Sequence, residues 1–146
     1  IKSIAVIVQK EAGTRLCANL GTREVVAVTV AVRYFSTPKL LFNVSRGSFM
    51  PSPNVDSCVI RLDINENTPA GITDEKFFFK VVRGAFSQRR KTLANSISSS
   101  IGVNKAIVFE AISKSGLNEN IRPEQLQMSD FVNVAEQLKI LMEGQT

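Results

Sequence analysis

The chain has 146 residues, of which 44% are hydrophobic and 21% charged, with a net charge of +5 at pH 7. This composition is typical of a globular chain with one ordinary domain or two small ones. Histidine is absent, which excludes histidine-based catalytic triads and imidazole-bound zinc, so we expect no metal. Because no bilayer-length apolar run or leader peptide is present, we predict a cytoplasmic protein in which Cys17 and Cys58 are reduced and buried.

The first part of the chain predicts strands of an α/β sheet. Ser3–Gln9 is a continuous apolar, β-branched run, which is typical of a strand covered on both faces. Strands are also predicted for Lys39–Val44 and Val55–Ile64, paired antiparallel. A short helix is predicted for 10–19, with Ala12, Leu16 and Cys17 on one side.

The segment Glu24–Phe35 gives conflicting signals. Its valines favour a strand by propensity. A helical spacing is also present, however, at Val25, Val28, Val32 and Phe35. Composition and period therefore leave both assignments open.

The second part of the chain is predicted to be helical. A polar stretch, 65–73, breaks every periodicity and is the natural linker between two units. Helices are predicted for 74–86, capped by Thr73, then for 90–101 and 105–115, and for a last helix capped by Ser129. The core side of the first of these helices is expected to carry Phe77, Phe78, Val81, Val82, Ala85 and Phe86. The last helix is expected to bury Phe131, Val134, Ala135, Leu138, Leu141 and Met142.

A proline-rich loop between the later two strands is the first candidate site. Pro51 and Pro53 fix an extended backbone, which should hold Phe49 in place at little entropic cost. We interpret Phe49 as a ring that stacks on an unpaired base. The alternative is that Phe49 plugs the end of a hairpin. Asp56 and Ser57 are candidates for supporting the loop, although both residue types also occur in ordinary turns.

Basic residues without acidic neighbours form the second candidate site. The stretches 25–55 and 76–109 contain no acidic residue, and seven basic residues lie in the second. Lys76, Lys80 and Arg83 recur at spacings of four and three along one edge of the predicted first helix.

The next helix is predicted to begin in a cationic cluster, Arg89, Arg90 and Lys91. Free backbone N–H groups and the helix dipole favour an anion at such a position. We interpret the cluster, together with the basic edge of the preceding helix, as contacts to an RNA backbone. The alternative is a solvated charged surface.

Four segments resemble, in order and spacing, the KsgA-type rRNA adenine dimethyltransferases, which methylate two adjacent adenines of small-subunit ribosomal RNA. They are VQKEAGTRL (8–16), FMPSPNVDS (49–57), AFSQRRKTLANS (85–96) and NIRPEQLQMSDF (120–131). One departure lies at Val25 and Val26, where the family usually carries an aromatic residue and a glycine. The resemblance favours a helix over a strand for Glu24–Phe35.

The resemblance implies a fold class and a domain order. Residues 1–64 would be the C-terminal part of a Rossmann-like methyltransferase domain, with its last strands and antiparallel hairpin. After the linker 65–73, residues 74–146 would form a small all-helical domain. Ribosomal RNA of the small subunit would be the partner, with no membrane or metal involved.

The resemblance also implies what this chain lacks. The family's glycine-rich cofactor loop, acidic ribose-binding residue and Asn-(Leu/Ile)-Pro-(Tyr/Phe) motif are not found in the sequence. S-adenosylmethionine would be the cofactor of the whole enzyme, and we expect none bound to this chain. We therefore expect a fragment with no catalytic or cofactor-binding residue, inactive alone, that contributes RNA binding and target-base positioning.

Two points stay open at the level of sequence. The chain could instead be a non-catalytic module that docks on ribosomal RNA during ribosome assembly. The oligomeric state is unknown, and Ser3–Gln9, as a strand stripped of neighbours, offers an edge for pairing with a second copy.

Overall fold

A computed structural model of the chain describes residues 2–45, 47, 56–88 and 90–144. The chain divides into two compact units, 1–68 and 69–146. In the described ranges, the first unit contains the β-sheet and two α-helices, and the second contains four α-helices. No helix of this part of the chain has both the length and the apolarity needed to span a membrane.

The first unit is built on an antiparallel sheet whose described strands lie in the order β1–β3–β2. The strands are β1 (Ser3–Gln9), β2 (Ser36–Val44) and β3 (Ser57–Ile64). Val6 and Leu40 lie on either side of Ile60, which is fully buried in the central strand. The predicted antiparallel pair is confirmed, although β2 begins three residues earlier than expected and has a register shift between Leu40 and Phe42.

The prediction that β1 is covered on both faces is wrong for this chain. Ile4 and Ile7 are 41% and 60% exposed. The reason is that β1 lies at the edge of the sheet and only one of its faces meets α1 (Lys10–Leu16). The described residues therefore leave part of the apolar surface of β1 exposed.

Helix α1 follows β1 directly and lies very close to the sheet. The Lys10 N–H donates to the Asp56 carbonyl at 2.9 Å, which fixes the start of the helix. A Cβ placed on Gly13 would overlap the Cys58 sulfur and lie 3.4 Å from the Val8 side chain. Gly13 is thus the buried residue of α1, whereas Ala12, predicted to face the core, is exposed.

Residues Ala27–Phe35 form helix α2, so the helix assignment is confirmed and the strand alternative is wrong. The buried side of α2 is not the predicted one. Val28 and Phe35 are 49% and 45% exposed, whereas the fully or almost fully buried residues are Thr29, Val30 and Tyr34. Because Thr29 is polar, a search for apolar spacing could not find this face.

Thr29 is buried because its hydroxyl has two backbone partners. Its Oγ1 donates to the Arg15 carbonyl of α1 at 2.7 Å and accepts from the Val26 N–H at 3.1 Å. This hydroxyl joins the end of α1 to the start of α2, and buried polar groups are tolerated when they are paired in this way.

The second unit is a set of α-helices around one core, as predicted. The helices are α3 (Glu75–Ala85), α4 (Leu93–Ile101), α5 (Lys105–Lys114) and α6 (Met128–Glu143), with a 3-10 helix at Pro123–Gln125 before α6. Residues with 1% exposure or less include Phe78, Val81, Val82, Leu93, Ile97, Val108, Ile112, Phe131 and Leu138. The apolar stripes predicted for α3 and α6 are confirmed at their centres, while their end residues Phe77, Phe86, Leu141 and Met142 are half-buried.

Two of the predicted helix caps are wrong. Asp74, not Thr73, caps α3, and its carboxylate accepts a first-turn N–H at 3.1 Å. Thr73 instead bonds to the Glu136 carboxylate through its N–H at 3.0 Å and its hydroxyl at 2.9 Å. Ser129 lies inside α6, whose cap position is Gln127. Each of these segments contains several residues of types that can cap a helix, so the sequence alone does not show which of them occupies the cap position.

Candidate nucleic-acid interface

Helix α3 presents a row of three exposed cations, Lys76, Lys80 and Arg83. The opposite side of the helix carries the buried Phe78 and Val81, and this burial fixes the rotation of the helix. The three cations consequently share one solvent-facing edge, which we call the α3 basic row. In the described part of the chain, none of the three forms an ion pair.

Arg90 and Lys91 are also exposed, but they do not lie in a helix. The sequence predicted a helix from Arg90, whereas α4 begins at Leu93 with Thr92 as its cap. The two basic residues therefore occupy the turn that precedes α4.

The backbone N–H groups at the start of α4 are largely used within the protein. The Leu93 N–H donates to the Ile121 carbonyl at 2.9 Å, and the Asn95 N–H donates to the Thr92 hydroxyl at 3.3 Å. The predicted contribution of free N–H groups to anion binding is therefore wrong for these two positions. An anion would be held here by the side chains of the turn.

The turn itself is tied to the body of α4. Ser96 is fully buried, and its hydroxyl donates to the Gln88 carbonyl at 3.3 Å. The Gln88 side chain donates to Ser99 at 3.0 Å, and the Lys91 N–H donates to the Gln88 carbonyl at 3.0 Å. These bonds give Arg90 and Lys91 a defined backbone position.

Several predicted site residues lie outside the described part of the chain. They are Phe49, Pro51, Pro53 and Arg89. The stacking role of Phe49, the bracing role of the two prolines and the anion-binding role of Arg89 stay predictions.

The base of the proline loop is described on its β3 side. Ser57 is 8% exposed and lies in register between Gln9 and Val44, as an ordinary strand residue would. Asp56 is exposed, and its carbonyl accepts from Lys10. The start of β3 thus lies beside the carboxyl end of β1, an edge at which α/β proteins commonly bind ligands. Support of the loop by the two side chains stays a prediction.

Arg33 lies in the acid-free stretch 25–55, but its charge is used within the protein. Its guanidinium donates to the carbonyls of Cys17 and Ala18 at 3.0 and 3.1 Å and to the Asn19 side chain at 3.2 Å. These acceptors follow the end of α1, where carbonyls lack helical partners. Arg33 is therefore structural, and nothing in its sequence neighbourhood signals this.

We expect Arg33→Met to lower the free energy of unfolding by about 1 kcal/mol, because charged hydrogen bonds are lost at a half-exposed site. RNA affinity should change little. Chemical denaturation and RNA titration would measure both effects. The matched control is Lys39→Met, which removes an exposed charge from the same acid-free segment and should leave stability unchanged. Equal loss of stability in both variants would contradict the structural role of Arg33.

Both cysteines are free, and Cys58 is buried as predicted, whereas Cys17 is only partly buried. Burial raises the pKa of the Cys17 thiol, the nearby Cys58 raises it further, and Arg33 lowers it. Because the thiolate is the reactive form, we expect Cys17 in the folded chain to alkylate more slowly than in urea, with a rate that still rises above pH 9. Iodoacetamide labelling followed by mass spectrometry measures this. A rate that levels off near neutral pH would contradict the raised pKa.

The step from β1 to α1 does not offer the glycine-rich turn that the resemblance implies for S-adenosylmethionine binding. It consists of Gln9 and Lys10, and the first helical N–H already bonds to the Asp56 carbonyl. Over the described ranges, no cluster of three or more potential metal ligands occurs.

Two solved structures have a fold similar to that of this chain. A dimethyladenosine transferase from Plasmodium falciparum matches with a TM-score of 0.79 at 23% identity, covering 97% of this chain and 58% of that chain. The 23S rRNA methyltransferase ErmE matches with a TM-score of 0.64 at 17% identity, covering 95% and 55%. At these identities the likeness establishes the fold alone, which this chain shares with part of each of the two proteins.

Sequence comparison defines the family. Residues 1–139 match the family model described as ribosomal RNA adenine dimethylase. The chain therefore belongs to the ribosomal RNA adenine dimethylase family, which confirms the resemblance found in its four segments.

Curated relatives carry the name ribosomal RNA small subunit methyltransferase A. The protein of Lachnoclostridium phytofermentans is 39% identical over 138 residues, covering 93% of this chain and 48% of the relative. The protein of Pelotomaculum thermopropionicum is 41% identical over 134 residues, covering 91% and 45%. The chain thus spans about half the length of the curated relatives that it matches.

Proposed function

We propose that the chain is the RNA-gripping, C-terminal portion of an S-adenosylmethionine-dependent rRNA adenine dimethyltransferase. Family membership over residues 1–139 supports the reaction class. The observation that carries the RNA-binding role is the α3 basic row, which is exposed, fixed in orientation and free of ion pairs within the described residues. Residues 1–64 then belong to a Rossmann-like catalytic domain, and residues 74–146 form a helical domain that binds RNA.

The proposed substrate is small-subunit ribosomal RNA, and the proposed location is the cytoplasm. Lys76, Lys80 and Arg83 neutralise backbone phosphates, with Arg90 and Lys91 adding two further cations on a fixed turn. Contacts of this kind position an RNA without reading its bases. Arg89 is assigned to the same cluster, and Phe49 is assigned to stacking on the flipped target adenine.

Removing the α3 basic row should weaken RNA binding and its dependence on salt. For Lys76→Gln, Lys80→Gln and Arg83→Gln combined, we expect a loss of affinity on the order of tenfold or more. The slope of log K against log salt should fall by about 2 to 3 units, since each lost phosphate contact removes about 0.7 to 0.9. Filter binding to a small-subunit rRNA fragment at several salt concentrations measures both quantities.

The matched control removes the same charges elsewhere in the second unit, through Lys105→Gln, Lys114→Gln and Arg122→Gln. These side chains are also exposed, and Lys114 pairs with Glu110 at 3.4 Å. The control variant should keep the salt slope of the unaltered protein. Equal effects in both variants would show that only total charge matters, which would overturn the assignment of the α3 basic row.

A ribosome-assembly module without catalysis is the second candidate, because the family's glycine-rich cofactor loop is not found in this sequence. A chimera separates the two functions. It joins the unmatched half of the Lachnoclostridium phytofermentans relative to this chain. We expect the chimera to methylate adenine in unmethylated small-subunit RNA, and we expect this chain alone to show no S-adenosylmethionine binding by calorimetry. A folded, cofactor-binding chimera that transfers no methyl group would favour the assembly module.

A further inference from the structure

Four exposed polar side chains lie together where the α3 basic row meets the turn before α4. The Gln88 side-chain amide donates to the Ser99 hydroxyl at 3.0 Å, and the Ser87 hydroxyl donates to the Gly84 carbonyl at 2.7 Å. Ser100 lies against the same glycine. We call these four residues the polar patch; they are Ser87, Gln88, Ser99 and Ser100.

Gly84 allows α4 to cross α3 at a short distance. Gly84 is buried, and a Cβ placed on it would lie 3.2 Å from the Ser100 hydroxyl oxygen and 3.3 Å from the Ser100 Cβ. Gly84 directly follows Arg83, the last member of the α3 basic row, and Gln88 comes two residues before Arg90. The polar patch therefore lies between two groups of cations.

The polar patch has hydrogen-bonding groups that the protein does not use. Ser99 accepts from Gln88, but within the described ranges its own hydroxyl proton has no acceptor. The Ser100 hydroxyl and the side-chain oxygen of Gln88 have no partner among the described residues either. The patch can thus both donate and accept hydrogen bonds at the surface, without carrying a charge.

An RNA strand has the complementary arrangement. Its phosphates are separated by riboses, and each ribose carries a 2′-hydroxyl group that donates and accepts hydrogen bonds. Arg83 on one side of the patch, and Arg90 with Lys91 on the other, can neutralise phosphates. Because 76–109 contains no acidic residue, this segment has no side chain that repels the strand.

We propose that the polar patch binds ribose 2′-hydroxyl groups and makes this surface selective for RNA over DNA. The inference rests on the proposed function, since it requires that the neighbouring cations contact phosphates. Cations alone hold either nucleic acid, because RNA and DNA carry the same phosphates. The 2′-hydroxyl is the group by which a protein distinguishes the two.

The affinity of the chain for three strands of one sequence tests the proposal. The strands are a single-stranded small-subunit rRNA fragment, the corresponding DNA, and the same RNA with 2′-fluoro groups. Fluorine keeps the ribose conformation but donates no hydrogen bond. Each hydrogen bond contributes a factor of about 2 to 10 to affinity. We therefore expect the unaltered chain to prefer the RNA over both other strands by about tenfold in fluorescence anisotropy titrations.

Ser99→Ala and Ser100→Ala combined should remove most of this preference. We expect affinity for the RNA to fall by about five- to tenfold, while affinity for the other two strands stays unchanged. The slope of log K against log salt should also stay unchanged, because no phosphate contact is lost. Both serines are exposed in α4, and alanine is a good helix former, so the variant should fold.

The matched control replaces two other exposed serines of the second unit, through Ser113→Ala and Ser129→Ala. They lie in α5 and α6. The control variant should bind all three strands like the unaltered chain. The same loss of RNA preference in the control would overturn the assignment of the polar patch.

Ser100→Ala alone separates contact with RNA from support of the turn. Ser99 accepts the bond that holds the Gln88 side chain, whereas Ser100 lacks such a bond in the described residues. Ser100→Ala should therefore lower the RNA preference by at least about twofold, and it decides if the double variant does not fold. A loss confined to Ser99→Ala and equal for all three strands would overturn the proposal, because it would show that Ser99 only holds the turn.

Failure of this inference is distinguishable from failure of the proposed function. If the glutamine variant of the α3 basic row loses salt-dependent binding, but the double serine variant binds all three strands like the unaltered chain, the RNA-binding role stands and this inference is wrong. If the glutamine variant binds RNA like the unaltered chain, both are wrong.

Discussion

Gly13→Ala is expected to lower the free energy of unfolding by about 1 to 3 kcal/mol, as overpacking of a core does. A Cβ at this position would overlap the Cys58 sulfur, which lies in the central strand of the sheet. A loss of stability would be informative, because alanine in a helix interior otherwise stabilises the helix by about 1 kcal/mol relative to glycine. Urea denaturation of the variant and the parent measures the difference.

Cys58→Ala provides the matched test of this contact. It removes the sulfur and leaves space for the methyl group that the substitution of Gly13 introduces, so Gly13→Ala should be neutral or stabilising in that background. The double-mutant cycle isolates the interaction between the two positions. A stabilising Gly13→Ala in the parent, or an equal loss in both backgrounds, would show that α1 can move away from the sheet.

Thr29→Val is expected to lower the free energy of unfolding by about 2 to 3 kcal/mol, although valine has nearly the same shape as threonine. The substitution leaves the Arg15 carbonyl and the Val26 N–H without the hydroxyl that now joins them. Thr29→Ser is the control, since it keeps the hydroxyl and deletes one methyl group, at about 1 kcal/mol. Denaturation midpoints and slopes of both variants are the measurement. If valine were tolerated as well as serine, the hydroxyl would contribute nothing to the α1–α2 junction.

The parts of the fold that sequence predicted are those in which apolar residues repeat. The stripes of α3 and α6 and the pairing of β2 with β3 follow directly from such repeats. The buried face of α2 could not be found in this way, because Thr29 is polar and is buried by hydrogen bonds to backbone atoms distant in the chain. The exposure of β1 was missed because a continuous apolar run is identical whether or not its second face has a partner.

The candidate site shows the same division. The spacing of Lys76, Lys80 and Arg83 predicted one exposed edge, and the structure places all three at the surface of α3. The start of α4 was misplaced because Arg90 and Lys91 are good helix formers, whereas Thr92 caps the helix. The role of Arg33 depends on the position of the Cys17 and Ala18 carbonyls, which follow α1 and are distant from Arg33 in the sequence.

The hydrogen bond from Leu93 to Ile121 joins two of the family-like segments, 85–96 and 120–131. This bond fixes the backbone at the start of α4 to the segment before α6. We therefore expect a graft that moves 85–96 into another member of the family to keep its fold better when 120–131 is transferred with it.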